Sequence, residues 1–183
     1  MKKILLIFLL VNFNSDALSS IKENIINNLL NTKNLSFNFE QNINGKIEKG
    51  NCIIEYPKKI FCKYKESNNK ILVSNGESLV IKTKSGSYYR YSIKSTPLNY
   101  ILDKNFLINE IKNLKERVID DKFINFTIFK DKNEINIFFD INNFNLIGWQ
   151  TLDVYQNLNI TYLSSLKRNK ILKKNTFKLP SIN

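Results

Sequence analysis

Histidine is absent from the 183 residues, and cysteine (two), methionine and tryptophan (one each), proline (three) and glycine (five) are scarce. Without histidine there is no imidazole base and no imidazole metal ligand. Two cysteines are too few for a cysteine-only zinc site, and five scattered glycines cannot build a glycine-rich phosphate loop. No catalytic residue, metal or cofactor is therefore expected, and the chain does not read as an enzyme. Apolar runs are short as well. The unbroken run over residues 4–11 would span about 12 Å as a helix against a hydrocarbon core of about 30 Å, too little to cross a bilayer.

What remains is 43% apolar, 12% aromatic and 24% charged, which suits one domain with a core and excludes intrinsic disorder. The formal net charge is +12. Lys, Asn and Ile are over-used in every segment alike, however, and evenly spread lysine is a solvated coat, whereas a phosphate footprint clusters on one face. No nucleic-acid partner is expected. The densest basic run, Lys167, Arg168, Lys170, Lys173 and Lys174, falls where a turn is expected.

Lys2 and Lys3 precede the apolar run, and Ser15-Asp16-Ala17 follows it with small residues before a cut. That is the layout of a secretory signal peptide over residues 1–17, leaving a single domain over 18–183. No cysteine occurs before Cys52, so no lipid-attachment cysteine ends the leader. An exported, oxidising compartment is expected.

Over residues 18–30, Leu18, Ile21, Ile25 and Leu29 recur at helical spacing, one amphipathic helix. From Leu35 the period becomes two: Leu35, Phe37, Phe39, Gln41 and Ile43 share a face. Turn signals then recur at Pro57-Lys58, Asn75-Gly76, Ser85-Gly86, Asp131-Lys132-Asn133, Asn142-Asn143 and Lys167-Arg168-Asn169. Asn75-Gly76 is predicted to form a type I′ hairpin turn. The pattern is an antiparallel meander, interrupted where Thr96-Pro97, a cap and a first-turn proline, opens short helical pieces over 98–102 and 106–114. The paired Asp120-Asp121 is an acidic dyad in principle, but neighbours on a strand point to opposite faces, and a solvated turn is expected there.

Tyr89, Tyr91 and Ile93 form one apolar face of a strand, with Tyr88 and Arg90 on the other, whereas residues 123–129 and 135–139 carry large apolar groups on both faces. A strongly curved sheet with helices against its concave side would cover them. Composition leaves two outcomes open: a fully packed core, or a greasy cavity that the few short helices do not fill. A hairpin centred on Pro57 sets Cys52 opposite Cys62 and Ile54 opposite Ile60, on a face shared with Tyr64. The two cysteines can then form a cross-strand disulfide or remain two small buried apolar side chains.

The order of these elements resembles the family of the outer-membrane lipoprotein carrier protein LolA, in its α-proteobacterial form. Residues 36–41 (SFNFEQ) are similar to its Phe-x-Gln strand, 50–64 to its Gly-x-Leu hairpin with proline at the turn, and 71–76 (ILVSNG) to its Ile-x-Val-x-Asp-Gly turn. Residues 95–102 (STPLNYIL) resemble its Thr-Pro-Leu helix, 146–153 its late strand ending in Asp, and 177–180 its closing strand. Two departures stand out. Tyr56 occupies the place of an Arg linked to lid closure, so that contact must be made differently or be weaker, and Gln156 and Asn157 replace a turn glycine.

The resemblance implies an incomplete β-barrel of antiparallel strands, covered by short helices, over a hydrophobic cavity for the acyl chains of lipidated proteins. The implied location is the periplasm, and the implied partners are an inner-membrane lipoprotein-releasing transporter and an outer-membrane acceptor. A monomer is expected. The candidate lining is Leu35, Phe37, Phe39, Cys52, Ile54, Ile60, Cys62, Tyr64, Tyr89, Tyr91 and Ile93; the candidate lid is Pro97, Leu98, Ile101 and Leu102. Another lipid- or lipopeptide-binding protein on the same scaffold, or a polyanion-binding module, are the rival readings.

Overall fold

A computed structural model describes residues 20–65, 69–152 and 156–182. The leader over 1–17, Leu18 and Asp153 lie outside the described residues. Helix α1 (Ile21–Leu30) starts at Ser20, whose hydroxyl accepts from the Glu23 amide while the Glu23 carboxylate accepts from the Ser20 amide. This reciprocal box satisfies two amides that a helix start leaves open. Ile25 and Leu29 are buried as the spacing requires.

The strands that follow form one antiparallel sheet. In order come β1 (Asn34–Ile43), β2 (Lys46–Glu55), β3 (Lys59–Tyr64), β4 (Ile71–Asn75), β5 (Ser78–Lys82) and β6 (Tyr88–Ser92). A 3-10 turn (Ile93–Ser95) leads to α2 (Leu98–Ile101) and α3 (Lys104–Asn113), and then to β7 (Arg117–Ile119), β8 (Phe123–Lys130), β9 (Asn133–Asp140), β10 (Leu146–Leu152) and β11 (Leu158–Arg168). The eleven strands are ordered β6-β5-β4-β3-β2-β1-β11-β10-β9-β8-β7, leaving β6 and β7 as edges, so the curved sheet does not close. The expected curved, helix-covered half-barrel is the fold found.

The turns differ from expectation in detail. Type I′ geometry needs positive φ at both central residues, and it occurs at Asn44-Gly45 (48° and 85°) and Asp131-Lys132 (47° and 65°). At the predicted site, Ser74 faces Leu79 across the ladder, so the loop is Gly76-Glu77, with positive φ at Gly76 (103°) but not at Glu77. Asn75 is drawn into the ladder because its side-chain oxygen accepts the Glu77 and Ser78 amides at 3.0 and 2.9 Å.

Two further expectations are corrected. Lys167 and Arg168 end β11 rather than a turn, since β1 reaches far enough to pair Leu35 with Arg168. Residues 177–180 form no strand: they meet β5 and β6 through side chains, with the Tyr88 hydroxyl donating to the Pro180 carbonyl (3.3 Å) and the Lys82 ammonium to the Ser181 carbonyl (2.8 Å). The Thr96 hydroxyl donates to the Ile93 carbonyl and does not cap α2. Asp120 and Asp121 occupy an exposed turn.

One apolar cluster joins α1, α2 and α3 to the concave face. On the β8–β9 side it is filled by Ile124, Phe126, Ile128, Ile135, Ile137 and Phe139 together with Leu107 and Ile111. The outward Phe123 and Phe129 of β8 stay exposed while Asn125, between them on the same face, is buried, so that face is covered only in part.

Candidate functional site

On the β1–β6 side the concave face is not filled. A cavity of about 300 Å³ opens there, walled by β1 to β6, β10 and β11 and roofed by α2. Its position follows from strand register. Phe37 lies opposite Cys52, Cys52 opposite Cys62, Cys62 opposite Leu72 and Leu72 opposite Ile81, so one row of side chains crosses five strands on the inner face. Cys52 and Cys62 are joined by a disulfide, with Cα atoms 4.1 Å apart, and both line the cavity. One row further along, Phe39, Gly50 and Tyr64 are aligned. The Phe39 and Tyr64 rings meet edge to face, centroids 4.9 Å apart, across the bare Gly50. A Cβ on Gly50 would lie 2.6 Å from the Phe39 ring and 2.2 Å from the Lys63 carbonyl, so glycine is required.

The roof is fastened on both sides. The Lys58 amide, in the β2–β3 turn, donates to the Leu102 carbonyl at 2.7 Å, and the Lys58 ammonium lies 3.5 Å from the Asp103 carboxylate. The Tyr100 hydroxyl donates to Asp131 in the β8–β9 turn. This bond, with burial and the carboxylate's charge adding to it, raises the Tyr100 pKa above the usual tyrosine range. Ile101 and Leu102 point into the core, and Pro97, Leu98 and Ile101 enter the cavity wall. The place of the implied Arg is held by Tyr56, whose hydroxyl is buried and has no hydrogen-bond partner among the described residues. Burial also raises its pKa. The hairpin thus touches the roof through Lys58, two residues on.

Of the residues predicted to line a cavity, Phe39, Cys52, Ile60, Cys62, Tyr64 and Tyr91 do so. Leu35, Phe37, Ile54 and Ile93 are instead buried in the packed core, as is Leu102 of the lid. Tyr89 is 53% exposed and leaves the wall altogether, although it faces Ile81, which is in it. Strand β6 is a sheet edge, and alternation sets the side of a residue but not its distance from the roof. Sequence reasoning missed Leu72, Leu79 and Ile81, whose signal was the same alternation in β4 and β5. It also missed Trp149 and the polar residues Gln41, Lys70, Thr151, Asn159 and Thr161. Trp149 stands edge-on to Phe37 at 6.4 Å.

Chemically, this is a container. Among the described residues no group of three or more His, Cys, Asp or Glu is placed to hold a metal ion, and no helix is long and apolar enough to cross a membrane.

The family model for outer membrane lipoprotein carrier protein LolA matches residues 30–180. The chain belongs to that family. A search of curated proteins returned no match. Among solved structures, an uncharacterized conserved protein from Thermus thermophilus is similar at 6% identity and a TM-score of 0.51, over 87% of this chain and 92% of that one. A LolA superfamily protein, NE2245 from Nitrosomonas europaea, is similar at 9% identity and a TM-score of 0.44, over 83% and 93%. MucB is similar at 8% identity and a TM-score of 0.49, over 89% of this chain and 63% of that one. At such identities the likeness is one of fold.

Proposed function

We propose that the protein is a periplasmic carrier that hides the acyl chains of lipoproteins released from the inner membrane and delivers them to the outer membrane. The observation that carries this reading is the open apolar cavity under α2, in a chain of the LolA family. An acylated polypeptide exposes on the order of forty methylenes, at roughly 0.8 kcal/mol each, so it needs such cover in water. Binding of this kind needs no catalytic group.

The roof supplies the load and release step. In the empty protein Leu98 and Ile101 contact the cavity, and an entering acyl chain replaces those contacts with others of similar energy, so loading and unloading stay nearly balanced. At about 300 Å³ the cavity is at the small end of the range for ligand sites. Several chains can enter only if α2 moves. A single-chain lipid would need less movement, and that volume favours the second reading, a carrier of smaller lipids on the same scaffold.

Native mass spectrometry of the exported protein separates these. A co-purified lipidated polypeptide supports the first reading, a small lipid the second, and retention of neither after expression in a lipoprotein-producing host counts against both.

A further inference from the structure

The cavity has two chemically different ends. Towards the β2–β3 turn its wall is Ile60, the Cys52–Cys62 disulfide and the roof residues Leu98 and Ile101. Towards the other end of the same strands Gln41, Tyr64, Lys70, Thr151, Asn159 and Thr161 enter it. Register gathers them: Gln41 faces Thr161, and Asn159 faces both Ile43 and Thr151.

These groups are organised. The Gln41 amide donates to Asn159 Oδ1 at 2.9 Å and to Thr161 Oγ1 at 3.4 Å, and accepts from the Tyr64 hydroxyl at 3.3 Å. The Lys70 ammonium donates to the buried Glu48 carboxylate and sits 3.8 Å from the Tyr64 ring centroid. Burial, and then the Glu48 charge, raise the Tyr64 pKa, so its hydroxyl stays a donor. These side chains satisfy one another only in part, and the N–H groups and lone pairs they leave over can be met by a polar ligand end but not by a plain alkyl chain. Their presence calls for a ligand with a polar end.

Charge decides which polar end. Lys70 is hydrogen-bonded to Glu48, which the largely exposed Lys46 also approaches at 3.5 Å, so an anionic head would gain only a partly compensated ammonium while losing its water and meeting the Glu48 charge. A cationic head would meet the Lys70 charge. An uncharged carbonyl pays the smallest desolvation cost, and of the three N–H groups of an ammonium Glu48 takes one. We propose that the Gln41–Asn159–Lys70 cluster is a head-group subsite for an acyl chain attached through an uncharged ester or amide, the chain running from there towards the disulfide and the roof. This deepens the carrier reading above and rests on it.

The test uses the mature, disulfide-bonded protein with the neutral apolar dye N-phenyl-1-naphthylamine in its cavity. The dye is displaced by ligands that share one palmityl or palmitoyl chain: N-palmitoyl-serinamide, 1-palmitoylglycerol, palmitate and palmitylamine, each below its micelle concentration. Both uncharged ligands should displace dye at roughly tenfold lower concentration than the two charged ones, the scale of one well-made hydrogen bond. Gln41→Leu and Lys70→Met should shrink that ratio to within about twofold, the ratio being read against each variant's own dye affinity; Asn159→Leu, at a half-buried position, serves if either fails to fold. A better amide than ester points to an N-acylated polypeptide, and the reverse to a glyceride; both fit the subsite. Equal displacement by all four ligands, a preference for palmitate, or a preference untouched by the substitutions would overturn it. No dye binding by the native protein would instead bring down the carrier reading itself.

Discussion

Lys58 and Leu102 are joined by a backbone hydrogen bond of 2.7 Å that ties the β2–β3 turn to the end of α2. Next to it, Asp103 has two tasks: its carboxylate accepts the Phe106 amide at 3.2 Å as the cap of α3, and it lies 3.5 Å from the Lys58 ammonium. The two contributions differ in size. A capping aspartate is worth about 1 kcal/mol, whereas a partly exposed ion pair is worth about 0 to 1. Lys58→Met should therefore cost at most about 1 kcal/mol in urea unfolding, and Asp103→Ala, which loses cap and pair together, about 1 to 2. Equal losses would mean that the ion pair, not the cap, carries the effect.

The roof assignment is exposed to a direct test at Ile101, which is 1% exposed and part of the cavity wall. Ile101→Asp places a carboxylate against the cavity and should abolish binding of an apolar dye, at a stability cost of several kcal/mol. Leu98→Asp, at a half-buried position in the same wall, should weaken binding with a smaller stability loss. Unchanged dye binding in either folded variant would show that α2 does not cover the ligand.

The disulfide closes a loop between residues ten apart in sequence. On the chain-entropy account a loop of that length stabilises by about 2 to 3 kcal/mol. Replacing both Cys52 and Cys62 with Ala should cost about that amount in urea unfolding, plus a smaller loss for the cavity wall they leave. Mass spectrometry of the exported protein without reductant should find no free thiol.

Where the sequence sufficed, local rules agreed with one another. Pro57 marks a turn, alternation runs outward from it, and Cys52–Cys62 and Ile54–Ile60 are paired as those two rules require. Where it failed, a distant partner decided. Lys167 and Arg168 resemble a basic turn until Leu35 pairs with Arg168. Tyr89 has the correct face, yet its strand is the last of the sheet. Asn44-Gly45, the same dipeptide as Asn75-Gly76, makes the type I′ turn because Ile43 pairs with Lys46, while the Asn75 side chain shifts its own turn by one residue. The polar end of the cavity was missed because a search for apolar faces passes over Gln41, Lys70 and Asn159, which only the folded register brings together.

Tyr56 offers a test in which removing an atom stabilises the protein. Its hydroxyl is buried without a partner among the described residues, a cost of about 1 to 3 kcal/mol. Tyr56→Phe should therefore raise stability at neutral pH by about 1 kcal/mol, since the ring stays in place. Tyr64→Phe should lower it, because the Tyr64 hydroxyl donates to Gln41. The pH dependence has a definite sign. Burial raises both tyrosine pKa values in the folded chain, so neither group makes stability depend on pH below the unfolded value of about 10, and the folded state is disfavoured as pH rises above it. Urea unfolding should be insensitive to these two groups at about pH 8 and weaken above about pH 10, by up to roughly 1.4 kcal/mol per pH unit for each tyrosine. Tyr100, whose pKa is also raised, adds to the measured slope, and Tyr56→Phe should remove only the Tyr56 share of it. An unaltered slope, or a loss of stability at neutral pH, would mean that the hydroxyl has a partner after all.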